Sequence, residues 1–166
     1  MKEINITPDQ LERAKELYDF KALSGSITNG GGNITGALGE IIVVDLFGDR
    51  VNSTESTRHY DMIIDGWKID VKAIRTKVKP KPDYDCELTD KCREQMCDFF
   101  FWLRILNDYS TAWLLGYISR EEYFKVAKFY KKGDPNPDRP AFKFKHDDYV
   151  IKISQLHKFN KIITQS

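Results

Sequence analysis

The side chains best suited to act together are Asp61, Asp70 and Lys72, which fall in the stretch YDMIIDGWKIDVKA from Tyr60 to Ala73. Two runs of strand-forming residues flank Asp65-Gly66, a dipeptide that favours a two-residue type I′ hairpin turn because both central positions need positive φ. If Ile64 and Trp67 close that loop, Ile63 pairs with Lys68, Met62 with Ile69, and Asp61 with Asp70. Opposed residues have Cβ atoms about 4.5–5.5 Å apart, where two carboxylates repel. Lys72, two positions beyond Asp70, points to the same face and supplies positive charge. A third acid, Glu40, lies in the apolar run ITGALGEIIVVDLF. Its helical neighbours Gly36, Val43 and Phe47 carry no cation, so burial there calls for a cation from elsewhere in the fold. Carboxylate oxygens without His or Cys favour a hard divalent ion, Mg²⁺ or Mn²⁺, over zinc, and substrate phosphates usually complete such a site.

The elements that must position these groups follow from capping and periodicity. Thr7, Pro8 and Gln10 start a helix with a capping box, Leu11, Ala14, Leu17 and Tyr18 form its apolar face, and it runs to about Leu23. The Gly- and Ser-rich stretch Ser24–Asn33 reads as a flexible connector. A second helix, Ile34 to Phe47, is apolar nearly all round and ends at Gly48. A weak strand near Arg50–Ser53 precedes the hairpin, whose core-facing row is Trp67, Ile69, Val71 and Ala73. The segment from Leu88 to Met96 reads as a short polar helix. CDFFFWLRIL and TAWLLGYIS are buried strands joined by a turn at Asn107–Ser110. Ser119 and Glu122 cap a further helix with Tyr123, Val126, Ala127 and Tyr130 on its apolar face. GDPNPDRP is a turn-rich loop, FKFK and YVIKI alternate like a pair of strands, and a terminal helix from about Ser154 is expected.

With 166 residues, one domain spanning 1–166 accounts for the chain and buries a sizeable core without disulfides. No apolar run approaches the roughly 18 residues of a membrane span, and the N-terminus has no signal-peptide core, so no membrane partner and a cytoplasmic location are expected. Cys86, Cys92 and Cys97 match no zinc or redox spacing and read as reduced thiols. A net charge of +1 does not decide for or against nucleic acid.

The order α, α, β, β, β, α, β, β, α, β, β predicts an α/β domain with a mixed central sheet flanked by helices. Within it, an acid in GALGE, then Asp61, then Ile69-Asp70-Val71-Lys72 on a hairpin resembles the PD-(D/E)XK nucleases, the restriction endonuclease-like superfamily. The match covers about Ile34 to Ala73, with Tyr60 in place of the motif's Pro. The resemblance implies an αβββαβ core and a Mg²⁺-dependent endonuclease that hydrolyses DNA, with Mn²⁺ as the other candidate ion. It implies that Asp61, Asp70, Glu40 and the Val71 carbonyl hold metal while Lys72 orients the attacking water. The exonuclease branch carries a supporting glutamine, for which Gln95 is the candidate, although Phe99 stands where that branch shows Tyr.

From Arg75 to Lys81 the chain reads RTKVKPK, so Arg75, Lys77, Lys79 and Lys81 form a basic loop just after Lys72, where nucleic-acid phosphates would lie. Two alternatives stand beside the endonuclease reading. One is a Holliday-junction-resolvase-like enzyme acting on branched DNA as a symmetric homodimer. The other is a nucleic-acid-binding protein that keeps the fold without turnover.

Overall fold

Reciprocal capping starts the first helix, α1 (Pro8–Leu23): the Gln10 N–H donates to Thr7 Oγ1 at 3.2 Å and the Thr7 N–H to Gln10 Oε1 at 3.1 Å. The computed structural model describes residues 1–23 and 34–159, so the connector read at Ser24–Asn33 lies outside the described residues. Helix α2 (Ile34–Phe47) ends where Gly48 takes φ +53°. The two helices lie side by side, clamped by Arg13 Nη2 against Asp45 Oδ1 at 2.7 Å and by Gln10 Nε2 on Asp45 Oδ2 at 2.8 Å.

Six strands make the main sheet: β1 (Lys2–Asn5), β2 (Val51–Ser53), β3 (Met62–Ile64), β4 (Trp67–Thr76), β6 (Phe99–Leu106) and β7 (Thr111–Ser119), in the order β1-β7-β6-β4-β3-β2. Among the described strands only β4 and β6 run parallel, in register from Ile69↔Phe99 to Thr76↔Leu106. Strand alternation then divides the core in two. On one face Ile69, Val71, Phe101, Leu103, Ile105 and Leu114 pack under α1 and α2. On the other, Phe100, Trp102, Trp113, Leu115 and Ile118 meet Cys86, Leu88, Tyr123, Ile151 and Leu156. That second layer is a three-stranded sheet of β5 (Asp85–Thr89), β11 (Asp148–Lys152) and β8 (Lys128–Tyr130), together with α3 (Arg120–Val126). A small hairpin, β9 (Pro135–Asn136) with β10 (Arg139–Lys143), lies between β8 and β11 in the chain. No described helix is long and apolar enough to cross a membrane.

The architecture is therefore mixed α/β, and it departs from the sequence expectations at identifiable places. The polar helix expected over Leu88–Met96 is replaced by the end of β5 and a 3₁₀ turn at Asp90–Glu94. Leu88 belongs to a strand because it pairs with Tyr149 of β11, a partner no local pattern reveals. The crossover from β4 to its parallel neighbour β6 thus contains no α-helix. Strand β4 continues through Arg75 and Thr76, stabilised by β6, where a loop was expected. Helix α3 stops at Val126 and Tyr130 enters β8 opposite Asp148. FKFK and YVIKI do not pair: β10 joins β9, while β11 lies between β5 and β8. Trp67, expected in the core row, is 55% exposed at the hairpin end. The terminal helix is only a 3₁₀ turn at Ile153–Gln155 within the described residues. The N-terminal strand β1, bonded to β7, was not anticipated.

Candidate functional site

The hairpin forms in the expected register. Asp65 and Gly66 have φ of +50° and +82°, as a type I′ turn requires, and Met62↔Ile69, Ile63↔Lys68 and Ile64↔Trp67 face one another. Arg50 Nη2 holds Asp65 Oδ2 at 2.5 Å, and Asn52 Oδ1 accepts the Gly66 N–H at 2.7 Å, which fixes the turn against β2. The ladder stops one pair short of Asp61, however. The Asp61 N–H donates to the Ile69 carbonyl at 2.9 Å, and its carboxylate Oδ2 accepts the Val71 N–H at 2.7 Å. Asp61 therefore does not oppose Asp70 as a ladder partner; its side chain substitutes for the missing strand. In a strand, the N–H and C=O of one residue point to the same side. The Val71 carbonyl consequently faces the same gap as Asp61.

Asp70 is 4% exposed, and both its oxygens are engaged. Oδ2 lies 2.5 Å from Lys72 Nζ and Oδ1 accepts from Gln95 Nε2 at 2.8 Å, while Gln95 Oε1 accepts from Lys72 Nζ at 3.3 Å. These contacts close a three-residue ring in which the glutamine amide has one possible orientation. Lys72 Nζ also lies 5.7 Å from the centroid of Phe100. Burial on its own would lower the Lys72 pKa, but the adjacent Asp70, with lesser contributions from Cys92 and Asp61, holds it above the ordinary lysine value. Close by, Cys97 is pushed up to about 12, first by burial and then by Asp70. It is not a nucleophile at neutral pH.

The other predicted residues are placed differently. Glu40 is half-buried on α2, one residue from Gly39, the point where the helix touches β4. A Cβ at Gly39 would sit 2.5 Å from the Ala73 Cβ and 3.4 Å from Val71 Cγ1. Helix α2 thus packs on the face of β4 opposite Asp70 and Lys72, alongside the strand that carries them. The basic run does not gather over the acids. Arg75 alternates onto the Val71–Ala73 side, where its guanidinium bonds the Asn107 carbonyl at 3.1 Å and lies 5.4 Å from the Tyr109 ring centroid. Lys79 pairs with Glu3 of β1 at 2.9 Å, while Lys77 and Lys81 are exposed.

Charged groups that do lie on the Asp70 side escaped the sequence reading: Arg93 in the 3₁₀ turn and Arg120 at the start of α3. No local spacing reveals them, because the β4–β6 crossover alone brings the 3₁₀ turn to the site. Gln95 had a motif position as its signal, and the crossover delivers it to Asp70. Phe99, at the position of that branch's Tyr, turns to the other core against Trp67 and Tyr117.

The donors gathered here are the carboxylates of Asp61 and Asp70 and the Val71 carbonyl, an all-oxygen set that fits a hard divalent ion in chemistry. Among the described residues no group of three or more His, Cys, Asp or Glu side chains is arranged to hold a metal. No protein-family model matches the chain, and a search of the curated proteins finds no match.

Proposed function

We propose that this chain is a divalent-metal-dependent endonuclease that hydrolyses DNA phosphodiester bonds, built on a variant of the restriction endonuclease-like core. The observation that carries the reading is the meeting of Asp61, Asp70, Lys72 and Gln95 where β4 runs on past the end of β3. The Asp70–Lys72 pair and the Asp61 cap on the Val71 N–H each have a structural use, and it is their occurrence side by side on one strand, with Asp61 also acting on Lys72, that supports the reading. The helix-free crossover departs from the family's αβββαβ order and is the main architectural difference.

Asp61, Asp70 and the Val71 carbonyl are the groups that would hold Mg²⁺ or Mn²⁺; Glu40, on the helix packed against the other face of β4, is a further acid of the set only by the family resemblance. Bound there, the ion supplies Lewis acidity at the phosphate and a water of lowered pKa. Lys72, kept protonated by Asp70, donates to the attacking water and to charge developing on the phosphoryl oxygens. Gln95 holds Asp70 in one rotamer and bonds Lys72, so that the acid and the base-orienting cation move as one unit. Val71 anchors Asp61 through its N–H, which fixes the second carboxylate relative to the first.

The test is cleavage of supercoiled, linear, single-stranded and branched DNA with Mg²⁺, Mn²⁺ or EDTA. Cleavage should require the ion and fall by at least about 10²-fold in Asp70→Ala and Lys72→Ala, as expected when charge stabilisation of the transition state is removed. Equal activity in both variants would remove the site assignment. One observation favours a second reading, a binding protein without turnover: both Asp70 oxygens are already occupied by Lys72 and Gln95. DNA binding with no cleavage under any ion would select it.

A further inference from the structure

Arg93 and Arg120 lie against each other on the Asp70 side of the sheet. An Arg120 Nη2–H donates to the Arg93 carbonyl, and both guanidiniums lie over the same ring, Phe124, at 5.8 and 5.7 Å from its centroid. Arg93 also lies 5.4 Å from the Tyr149 ring centroid and donates from Nη1 to the Tyr149 hydroxyl at 2.7 Å. Among the described residues neither forms a salt bridge, unlike Arg13, Arg50, Arg58 and Arg139. Of the neighbouring acids, Glu94 pairs with Arg58, Glu122 with His157, and Asp98 Oδ2 accepts the Lys68 N–H, while Glu121 is exposed. The Arg120 Nε is buried without a hydrogen-bond partner.

Two like charges this close repel, Arg93 in solvent and Arg120 half-buried; the aromatic faces offset part of that cost, and an anion between them would relieve the rest. The position of the pair shows where that anion belongs. Phe124 meets the edge of Phe100 at 6.2 Å, and Phe100 is the ring beneath Lys72 Nζ. Arg93 lies two residues before Gln95, which bonds Asp70 and Lys72. Arg120 and Asp70 both act on the Cys97 thiol.

We infer that Arg93 and Arg120 form the seat for a backbone phosphate of the nucleic-acid strand that enters the Asp70 site, an inference that rests on the nuclease reading of that site. The basic run Arg75–Lys81 is not the main contact surface. Guanidiniums lie over the rings of Phe124 and Tyr149, so these two rings serve the arginines and not a base. The patch reads backbone charge and not sequence.

The test is fluorescence anisotropy of the full chain with short labelled DNA, duplex and single-stranded and in several sequences, titrated with KCl in EDTA so that no turnover occurs. Arg93→Gln should weaken binding several-fold, equally for every sequence, and reduce the log–log salt slope by about one. Arg93→Lys should recover part of the affinity, since it keeps the charge without the planar fork. Lys145→Gln, an exposed charge remote in the chain, should match the parent. Thermal melts confirm that each variant is folded. If Arg93→Gln binds like the parent with the same slope, or if Lys77→Gln and Lys79→Gln carry the loss instead, the inference is overturned while the nuclease reading stands. If the parent binds no DNA in EDTA at low salt, the phosphate seat is likewise refuted, and metal-dependent cleavage then judges the nuclease reading separately.

Discussion

Asp70 and Lys72 are mutually dependent at the level of single residues. Their side chains are 6% and 21% exposed, so removing either leaves the other charge poorly solvated. Lys72→Met should cost about 1–3 kcal/mol, between the values for exposed and fully buried pairs. The pH dependence has a definite sign. The folded pKa of Lys72 is raised, so its contribution is complete below the unfolded lysine value of about 10.4 and is lost as pH rises through the higher folded value. Denaturant melts of parent and variant should therefore differ by a constant amount near neutrality and converge in strong alkali; a gap that persists there would show that packing, not charge, is what was lost. Asp61, Asp70 and Lys72 were legible in the sequence because a two-residue turn fixes register locally. The detail that Asp61 bonds the Val71 N–H was not, because it depends on where β3 ends.

Elements are positioned through close approaches that composition hides. Helix α2 carries Gly36 and Gly39 three residues apart, and a Cβ added at Gly39 would meet Ala73 and Val71 of β4. Gly39→Ala drives its new methyl into the Ala73 Cβ, forces helix and strand apart and should cost about 1–3 kcal/mol by overpacking. Among the described residues Gly36→Ala meets nothing within 4 Å, and it should gain up to about 1 kcal/mol of helix propensity. Opposite shifts in melting temperature check the pair, and equal losses would contradict this docking. The helices α1 and α2 were readable because their caps and apolar faces are local. The segments Leu88–Met96 and Lys128–Tyr130 were misread because pairing with β11 overrides their helical spacing.

At the scale of the molecule, the segment after β11 ties the two cores together. Strand β1 covers β7 only from Thr111 to Leu114, and beyond it His157 bridges to Tyr117, each N–H bonding the other's carbonyl at 2.8 and 2.9 Å. The segment lies so close to β7 that a Cβ at Gly116 would sit 2.5 Å from the His157 carbonyl oxygen. Ile153 and Leu156 lie in the core beneath the small sheet, whereas Phe159 lies in the core beneath the helices, packed on Phe101 at 4.8 Å and on Tyr117 and Phe47 at 5.5 and 6.2 Å between ring centroids. One strap thus spans both faces, and its role was invisible in the sequence because Phe159 gains its contacts only from strands far away in the chain. Phe159→Ala should destabilise by about 3–5 kcal/mol. Unfolding of the two layers should remain a single transition only while the strap is docked. In the variant, hydrogen exchange at the Tyr117 amide should accelerate before exchange in β4 and β6, because the bridge is held by the strap while β4 and β6 pair with each other from Ile69↔Phe99 to Thr76↔Leu106. Uniform acceleration across β4, β6 and β7 would mean that the strap is part of one cooperative core and not a separable clasp.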